Sequence, residues 1–409
     1  MILFYQISIY TYLLAVKTAA LFNPKARLWV QGRKNSFETI RQAIVPGEDI
    51  YWFHCASLGE YEQAKPLIEK FKANNPSLRV LVTFFSPSGY ENRKNDPLID
   101  YCFYLPFDSP GNARQFIALC KPKKAFFIKY EFWFFYLREL YQAHIPTYLV
   151  SGVFRKQQPF FKWFGDTHRK MLDYFTHFFV QNSRSEDLLR ALNHTNVTRT
   201  GDTRIDRVHE NSLNPQQLPI IEKFKAGKRI IIAGSSWEQE EKIIADYIQS
   251  SDKEFKYIIA PHDISPARIA AIEKLLGQNN YIKYSDATEE NITGYTILLI
   301  DNIGILANTY QYTDIAFIGG GFRGALHNVL EPASFGNIVL FGKKHSKFHE
   351  AEELLSCKAA FEISYTDDLI GVINHLLQQQ HLEVAQQAAL DYIKNGVGAS
   401  DKVLQAVLQ

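Results

Sequence analysis

The chain has 409 residues, too many for one ordinary core and about right for two domains. A formal net charge of +2, with no long Lys/Arg block, argues against nucleic acid as the main partner. Cys55, Cys102, Cys120 and Cys357 show no CxxC spacing, so they suggest neither a disulfide framework nor a zinc site and fit a reducing, cytosolic setting.

Residues 1–23, MILFYQISIYTYLLAVKTAALFN, are largely apolar and aromatic, interrupted by Gln6, Ser8, Thr11 and Lys17. No positive region precedes them, so a cleaved signal is not expected. They reach the ~20 residues a membrane span needs but are polar for one. Lys25, Arg27, Arg33 and Lys34 follow, with Trp29 among them. An apolar, Tyr-rich helix before a basic cluster fits a segment lying in a membrane interface and facing anionic head groups. A first helix packed on the core gives the same pattern.

From residue 24 to 210 the pattern predicts one domain. Apolar runs read as buried strands at Tyr51–Cys55, Val80–Phe84, Tyr101–Leu105, Ala125–Ile128, Thr147–Val150 and Phe178–Val180. Helix-like segments such as Tyr61–Lys72 and Phe132–Ala143 lie between them, which predicts a parallel, doubly wound sheet. The first strand runs into CASLGEYEQAKPLIEKF, placing Ser57, Gly59 and Glu60 at a strand-to-helix turn. Glu60 is a candidate general base, yet Ser57-x-x-Glu60 is also a capping box, and on spacing alone the cap is the leading reading. After the second strand, Ser86-Pro87-Ser88-Gly89 reads first as a simple turn. After the fourth, Glu131 in Lys129-Tyr130-Glu131-Phe132-Trp133 either binds sugar hydroxyls or caps the next helix.

Residues 211–223, beginning NSLNPQQ, read as a linker, and 224–409 as a second domain of the same kind. Its strands are expected at Arg229–Ala233, Tyr257–Ala260, Ile297–Ile300, Ile315–Ile318, Ile338–Phe341 and Ala360–Ile363, with a last helix over Leu382–Lys394 extending toward Leu408. Ser235 and Ser236 leave the first strand and suit a phosphate or a helix cap, with Ser236-x-x-Gln239 at capping-box spacing. His262 follows the second strand as a secondary candidate. The fourth strand runs into Gly319-Gly320-Gly321, then Arg323, His327 and Asn328, before Glu331 and Pro332 open a helix. Glycines permit close approach of a bulky group, and a helix start favours an anion by roughly 0.3–1 kcal/mol, so phosphate is the expected guest.

No GxxxxGK[ST], no GxGxxG with its acidic partner, no GxSxG and no HExxH occurs, which disfavours P-loop NTPases, nicotinamide or flavin enzymes, and the common hydrolases. Two doubly wound α/β domains facing a cleft, a phosphate-type loop in the second and a base in the first describe a GT-B glycosyltransferase. The nucleotide would sit on the C-terminal domain and the acceptor on the N-terminal one.

Longer stretches carry a more specific likeness: WFHCASLGEYEQAKPLI, YLPFDSPGNARQFI, Ser86 to Gly89, KYEFW, FFVQNSRSEDLLRAL with TGDTRIDRV, GSSWEQEE and GGGFRGALHNVLEPASFGNIVLFG. In collinear order over nearly the whole chain, these resemble the lipid A Kdo transferases, which move 3-deoxy-D-manno-octulosonic acid (Kdo) from CMP-Kdo onto a lipid A precursor. The resemblance implies Glu60 as the base that activates the acceptor's primary hydroxyl, reversing its ranking against the cap. It places Ser57, Gly59, Ser86, Ser88 and Glu131 on the acceptor side. Ser235, Ser236, His262, Gly320, Gly321, Arg323, His327, Asn328 and Glu331 match the CMP-Kdo region, with Glu331 on the ribose and the His327–Asn328 loop on the phosphate. The reaction it implies is inverting, without metal or cofactor beyond the donor, at the cytoplasmic face of the inner membrane through the N-terminus.

Departures accompany the likeness. Pro261-His262-Asp263-Ile264-Ser265-Pro266 lacks the arginine common there in the family, so the sugar carboxylate would fall to Arg268, Arg323 or His262. Arg204 replaces a common lysine, exchanging a point charge for a planar fork. A GT-B enzyme using a UDP-sugar, or a membrane-associated binding protein without turnover, would share the architecture.

Overall fold

The computed structural model describes residues 2–251, 255–378 and 380–409. Its contacts separate two units, Met1–Arg207 together with Gly398–Gln409, and Val208–Val397.

The first unit holds β1 (Ile50–Cys55), β2 (Arg79–Phe84), β3 (Tyr101–Tyr104), β4 (Lys124–Ile128), β5 (Thr147–Gly152), β6 (His177–Val180) and β7 (Val197–Arg199). They form one parallel sheet in the order β3-β2-β1-β4-β5-β6-β7. Strands buried on both faces need apolar residues at successive positions, and IYWFHC supplies them. Trp52 faces Phe116, Phe127 and Tyr136, whereas Phe53 stacks on Phe126 at 4.6 Å on the other side. The strand order reverses between β1 and β4, and their carboxyl ends flank the switch point where open α/β sheets take ligands.

The second unit holds β8 (Arg229–Ser236), β9 (Phe255–Pro261), β10 (Tyr281–Lys283), β11 (Ile297–Leu299), β12 (Ile315–Ile318), β13 (Ile338–Gly342) and β14 (Ala360–Ile363). Their order is β10-β11-β9-β8-β12-β13-β14, again parallel, with the reversal between β8 and β12. The two strands the sequence did not announce, β7 and β10, are three residues each, too short to show a run.

The expected domain limits shift. The stretch expected as a linker over 211–223 contains the end of one helix, Thr203–Leu213, and the start of another, Pro219–Lys225. The last helix is two, His381–Gly396 and Ala399–Leu408, broken at Gly398 with φ +101°. The second of these belongs to the first unit: Val403 and Val407 enter the core beside Leu67 and Phe71, Lys70 pairs with Asp401 at 2.6 Å, and Asp206 accepts the N–H of Gly398 and Ser400.

The N-terminal helix, Ile2–Ala19, has no buried residue and is long and apolar enough, by length and composition, to cross a membrane. One face is nevertheless tied down. Tyr5 donates to Asp108 Oδ2 at 2.6 Å, Tyr10 meets Phe107, and Tyr12 meets Trp29 and Phe85. Leu3, Phe4, Ile7 and Leu14 stay exposed. Arg33 departs from its expected place facing head groups. Its guanidinium lies 3.7 Å over the Trp29 ring and donates to the carbonyls of Leu105, Trp29 and Phe85, and burial pulls it down to about 9. Lys25, Arg27 and Lys34 remain exposed.

Candidate functional site

The first cluster lies at the switch point between β1 and β4. The Ser57 N–H donates to Glu60 Oε2 at 3.0 Å and its hydroxyl donates to the same oxygen, so the capping box forms. Among the described residues no donor is recorded on Glu60 Oε1, which leaves one carboxylate oxygen for chemistry while the other ties off the helix Leu58–Asn74. Gly59 is exposed on that first turn. Ser86 caps the helix Pro87–Arg93, its Oγ accepting the Ser88 N–H at 3.3 Å and lying 3.0 Å from the Ser88 hydroxyl. The segment expected as a simple turn is therefore the capped start of a helix.

Glu131 does not cap. After β4 the chain reverses at Lys129, φ +69°, and the next helix starts only at Phe134, with its first N–H groups taken by Asp108 and the Tyr5 hydroxyl. Glu131 instead turns toward β1: its Oε2 receives the Trp133 indole N–H at 2.7 Å and lies 3.1 Å from Nε2 of His54. Burial first, then the charges of Glu60 and Glu131, push the Cys55 thiol well above its ordinary range, so no thiolate nucleophile forms beside these carboxylates. His54 and Trp133 were not singled out by sequence reasoning. A lone histidine inside an apolar strand carries no motif, and its partners Thr83 and Glu131 lie far along the chain.

The second cluster lies at the switch point between β8 and β12. Ser235 takes a left-handed turn, φ +49°, whereas Ser236 is buried and gives its hydroxyl to Glu241 at 3.0 Å. The capping box expected at Ser236 does not form; one residue later only its carboxylate half is present, with Glu240 accepting the Trp237 N–H at 3.1 Å and also the Gly320 N–H at 2.9 Å, bolting the glycine loop to the helix Glu238–Ser250. The glycines themselves serve backbone packing. A Cβ on Gly319 would meet the Ser235 carbonyl at 1.9 Å, on Gly320 (φ +88°) the Ala325 carbonyl at 2.1 Å, and on Gly321 the Gly342 nitrogen at 2.4 Å.

The helix expected to open at Glu331 begins at Leu330 and spans five residues, and its Leu330 N–H is already taken by Asn328 Oδ1 at 3.0 Å. Asn328 also donates to Glu331 Oε1 at 2.9 Å. Glu331 borders a cavity of about 160 Å³ lined with Asn211, Asn214, Asn308 and Ser334, side chains able to bind hydroxyls.

Beside the loop, three rings assemble. His262 and His327 stack at 4.4 Å, Trp237 lies 4.8 Å from His262, and the Trp237 indole donates to His327 Nε2 at 3.2 Å. Burial first, then His262, push the His327 imidazole down to about 4, so it is neutral at pH 7 with its proton on Nδ1. Arg323 lies 4.2 Å over the Trp237 ring and pairs with Glu238. Arg268 pairs with Glu241 and, at 3.4 Å, with Glu238. Both arginines offered for a sugar carboxylate thus already hold protein carboxylates. Trp237 was missed in the sequence, although it directly follows the two serines. Among the described residues, no three His, Cys, Asp or Glu side chains group as a metal-ligand set.

Two parallel, doubly wound sheets in one chain are the GT-B class, and solved structures agree: UDP-GlcNAc 2-epimerase from Neisseria meningitidis, bound to UDP-GlcNAc, superposes with a TM-score of 0.63 at 16% identity over 88% of this chain and 99% of that one. Residues 27–207 match the family model of 3-deoxy-D-manno-octulosonic-acid transferase (kdotransferase). A bifunctional glycosyltransferase/methyltransferase of Fusobacterium nucleatum is 26% identical over 82% of this chain, which spans 53% of that protein's length. A 3-deoxy-D-manno-octulosonic acid transferase of Rickettsia bellii is 25% identical over 88% of this chain and 87% of its own. The chain is thus similar to Kdo transferases along most of its length, and its fold is of the GT-B class.

Proposed function

We propose that the protein transfers Kdo from CMP-Kdo to a phosphorylated, acylated glucosamine lipid of the lipid A precursor (lipid IVA) type in lipopolysaccharide biosynthesis, at the cytoplasmic face of the inner membrane. Glu60 Oε1 accepts the proton of the acceptor's primary hydroxyl as the new bond to the Kdo anomeric carbon forms. The bond from that carbon to the CMP phosphate breaks on the opposite face, and the configuration inverts. A carboxylate placed for such a transfer contributes ~10²–10⁴-fold in rate. The leaving phosphate's charge falls to neutral donors of this chain, among them His327 Nδ1–H, with no metal in the reading. Glu331 and its small polar cavity suit the ribose.

The single observation carrying this reading is Glu60 itself. Ser57 occupies Oε2 twice and leaves Oε1 open, so the cap orients the base instead of competing with it. The test is CMP release from CMP-Kdo with lipid IVA, wild type against Glu60→Gln, which keeps an acceptor for Ser57 but takes no proton. A folded variant slowed about a hundredfold or more supports the base. Unchanged turnover in the variant refutes it, and a wild type silent with CMP-Kdo but active with UDP-sugars refutes the donor.

A further inference from the structure

An aromatic pair in the first unit faces water. Trp163 is 90% exposed and Phe164 53%, and their rings meet edge to face at 5.5 Å. The turn that carries them is nevertheless fixed. Phe160 is buried and packs on Phe132 at 4.7 Å. Arg169 donates to the carbonyls of Phe160 and Lys162 at 3.0 and 2.9 Å, and the Gly165 N–H donates to the Lys162 carbonyl at 3.0 Å. A Cβ on Gly165 would meet the Pro159 carbonyl oxygen at 2.0 Å, so the turn closes tightly on itself. A clamped turn of this kind holds both rings out and keeps them from folding back onto the core.

What the pair meets follows from its place in the sheet. The turn comes after β5, and in a parallel sheet the carboxyl ends of all strands lie along one edge. The N-terminal helix touches Phe85, Phe107 and Asp108, which follow β2 and β3, so it lies along that same edge. Glu60 after β1 and Glu131 after β4 belong there too. Lys156, Lys162 and Lys170 flank the aromatic pair along the chain, and the acidic residue among them, Asp166, is already paired with Arg169. Tryptophan and phenylalanine settle at the boundary between water and lipid, and lysines beside them favour anionic head groups.

We propose that Trp163 and Phe164 form a second membrane contact, entering the head-group boundary of an anionic bilayer while Lys156, Lys162 and Lys170 meet its phosphates. For the presence of a bilayer this rests on the proposed membrane location of the transferase, but not on its donor or its base. With the N-terminal helix attached, insertion of the aromatic turn of the same unit becomes an intramolecular step, so the two contacts reinforce each other. Two contacts also fix the tilt of the unit, which a single helix leaves free. They turn the carboxyl edge of the sheet, with Glu60 and Glu131, toward the lipid in which an acylated acceptor resides.

Of the five tryptophans only Trp163 is exposed, which makes it its own probe. Its emission, taken as the difference between full-length wild type and Trp163→Phe, is expected to shift to the blue on adding vesicles of phosphatidylethanolamine and phosphatidylglycerol. Bromine on the lipid acyl chains is expected to quench it. The double variant Trp163→Ser, Phe164→Ser is expected to bind the same vesicles about tenfold or more weakly, as two aromatic side chains lose their place in the lipid. Emission unmoved while the protein sediments with the vesicles overturns the contact and leaves attachment by the helix standing. Unchanged affinity in the double variant overturns it as well. A blue shift that grows with protein concentration in the absence of lipid makes the pair a contact between copies, against the proposal. Wild type that binds no vesicles removes the membrane location itself, and the second contact with it.

Discussion

Burial and the neighbouring His262 leave His327 with a pKa of about 4 against an ordinary 6.5, and this sets its chemistry. A histidine depressed on folding contributes stability that is present above pH 6.5 and lost as pH falls from there through about 4. The His327 ring resonances are therefore expected not to titrate between pH 5.5 and 8, and nucleotide affinity to show no inflection from this residue there. An NMR titration midpoint near 6.5 would contradict the buried, neutral placement. At this scale a motif was enough to single out Glu60, His327 and Glu331 as candidates. The sequence was silent where geometry alone recruits a residue. His54 looks like part of a strand, Trp237 like a bulky residue after a turn, and nothing local reports that Arg268 and Arg323 are already paired with carboxylates of one helix.

At the scale of elements, the N-terminal helix is fastened through one carboxyl. Asp108 is 2% exposed; burial pushes it up to about 6, against the opposing pull of Tyr5 and the Phe135 and Tyr136 N–H groups. A carboxyl raised on folding contributes stability that is full below about 3.8 and lost as pH rises through about 6. At 1.36 kcal/mol per unit this amounts to roughly 3 kcal/mol across that window. Asp108→Asn is expected to abolish this slope, read as chemical-denaturation stability between pH 4 and 7; an unaltered slope would remove Asp108 as its source. The glycine loop teaches the complementary lesson. Strand, glycines and polar residues were all readable, but the glycines serve three backbone crossings, and no local pattern distinguishes a crossing from a phosphate. The short helix after it likewise could not be told from a longer one, since Pro332 and Glu331 suit either.

For the molecule as a whole, the alternation of apolar runs with helical stretches was enough to read two parallel sheets, because a strand buried on both faces must be apolar along its length. The order of the strands and the path of the tail were not readable, since both depend on pairings between distant residues. The proposed membrane attachment belongs to this scale too. Leu3, Phe4, Ile7, Leu14, Leu21 and Phe22 are exposed, as are Lys17, Lys25 and Lys34 within the same first 34 residues. Full-length protein is expected to sediment with anionic vesicles, less so at high salt, and protein lacking residues 1–23 to stay in the supernatant; equal sedimentation of both would refute the attachment.

The returning tail bears on biosynthesis. Val403 and Val407 complete a core whose other members precede residue 208, yet the 190 residues of the second unit are translated in between. At 5–20 residues per second the ribosome needs roughly 10–40 s to make them. Throughout that interval the first unit emerges with the groove along Leu67 and Phe71 uncovered, an apolar seam open to chaperones. A premature stop anywhere in the second half would thus leave the first half unfinished as well.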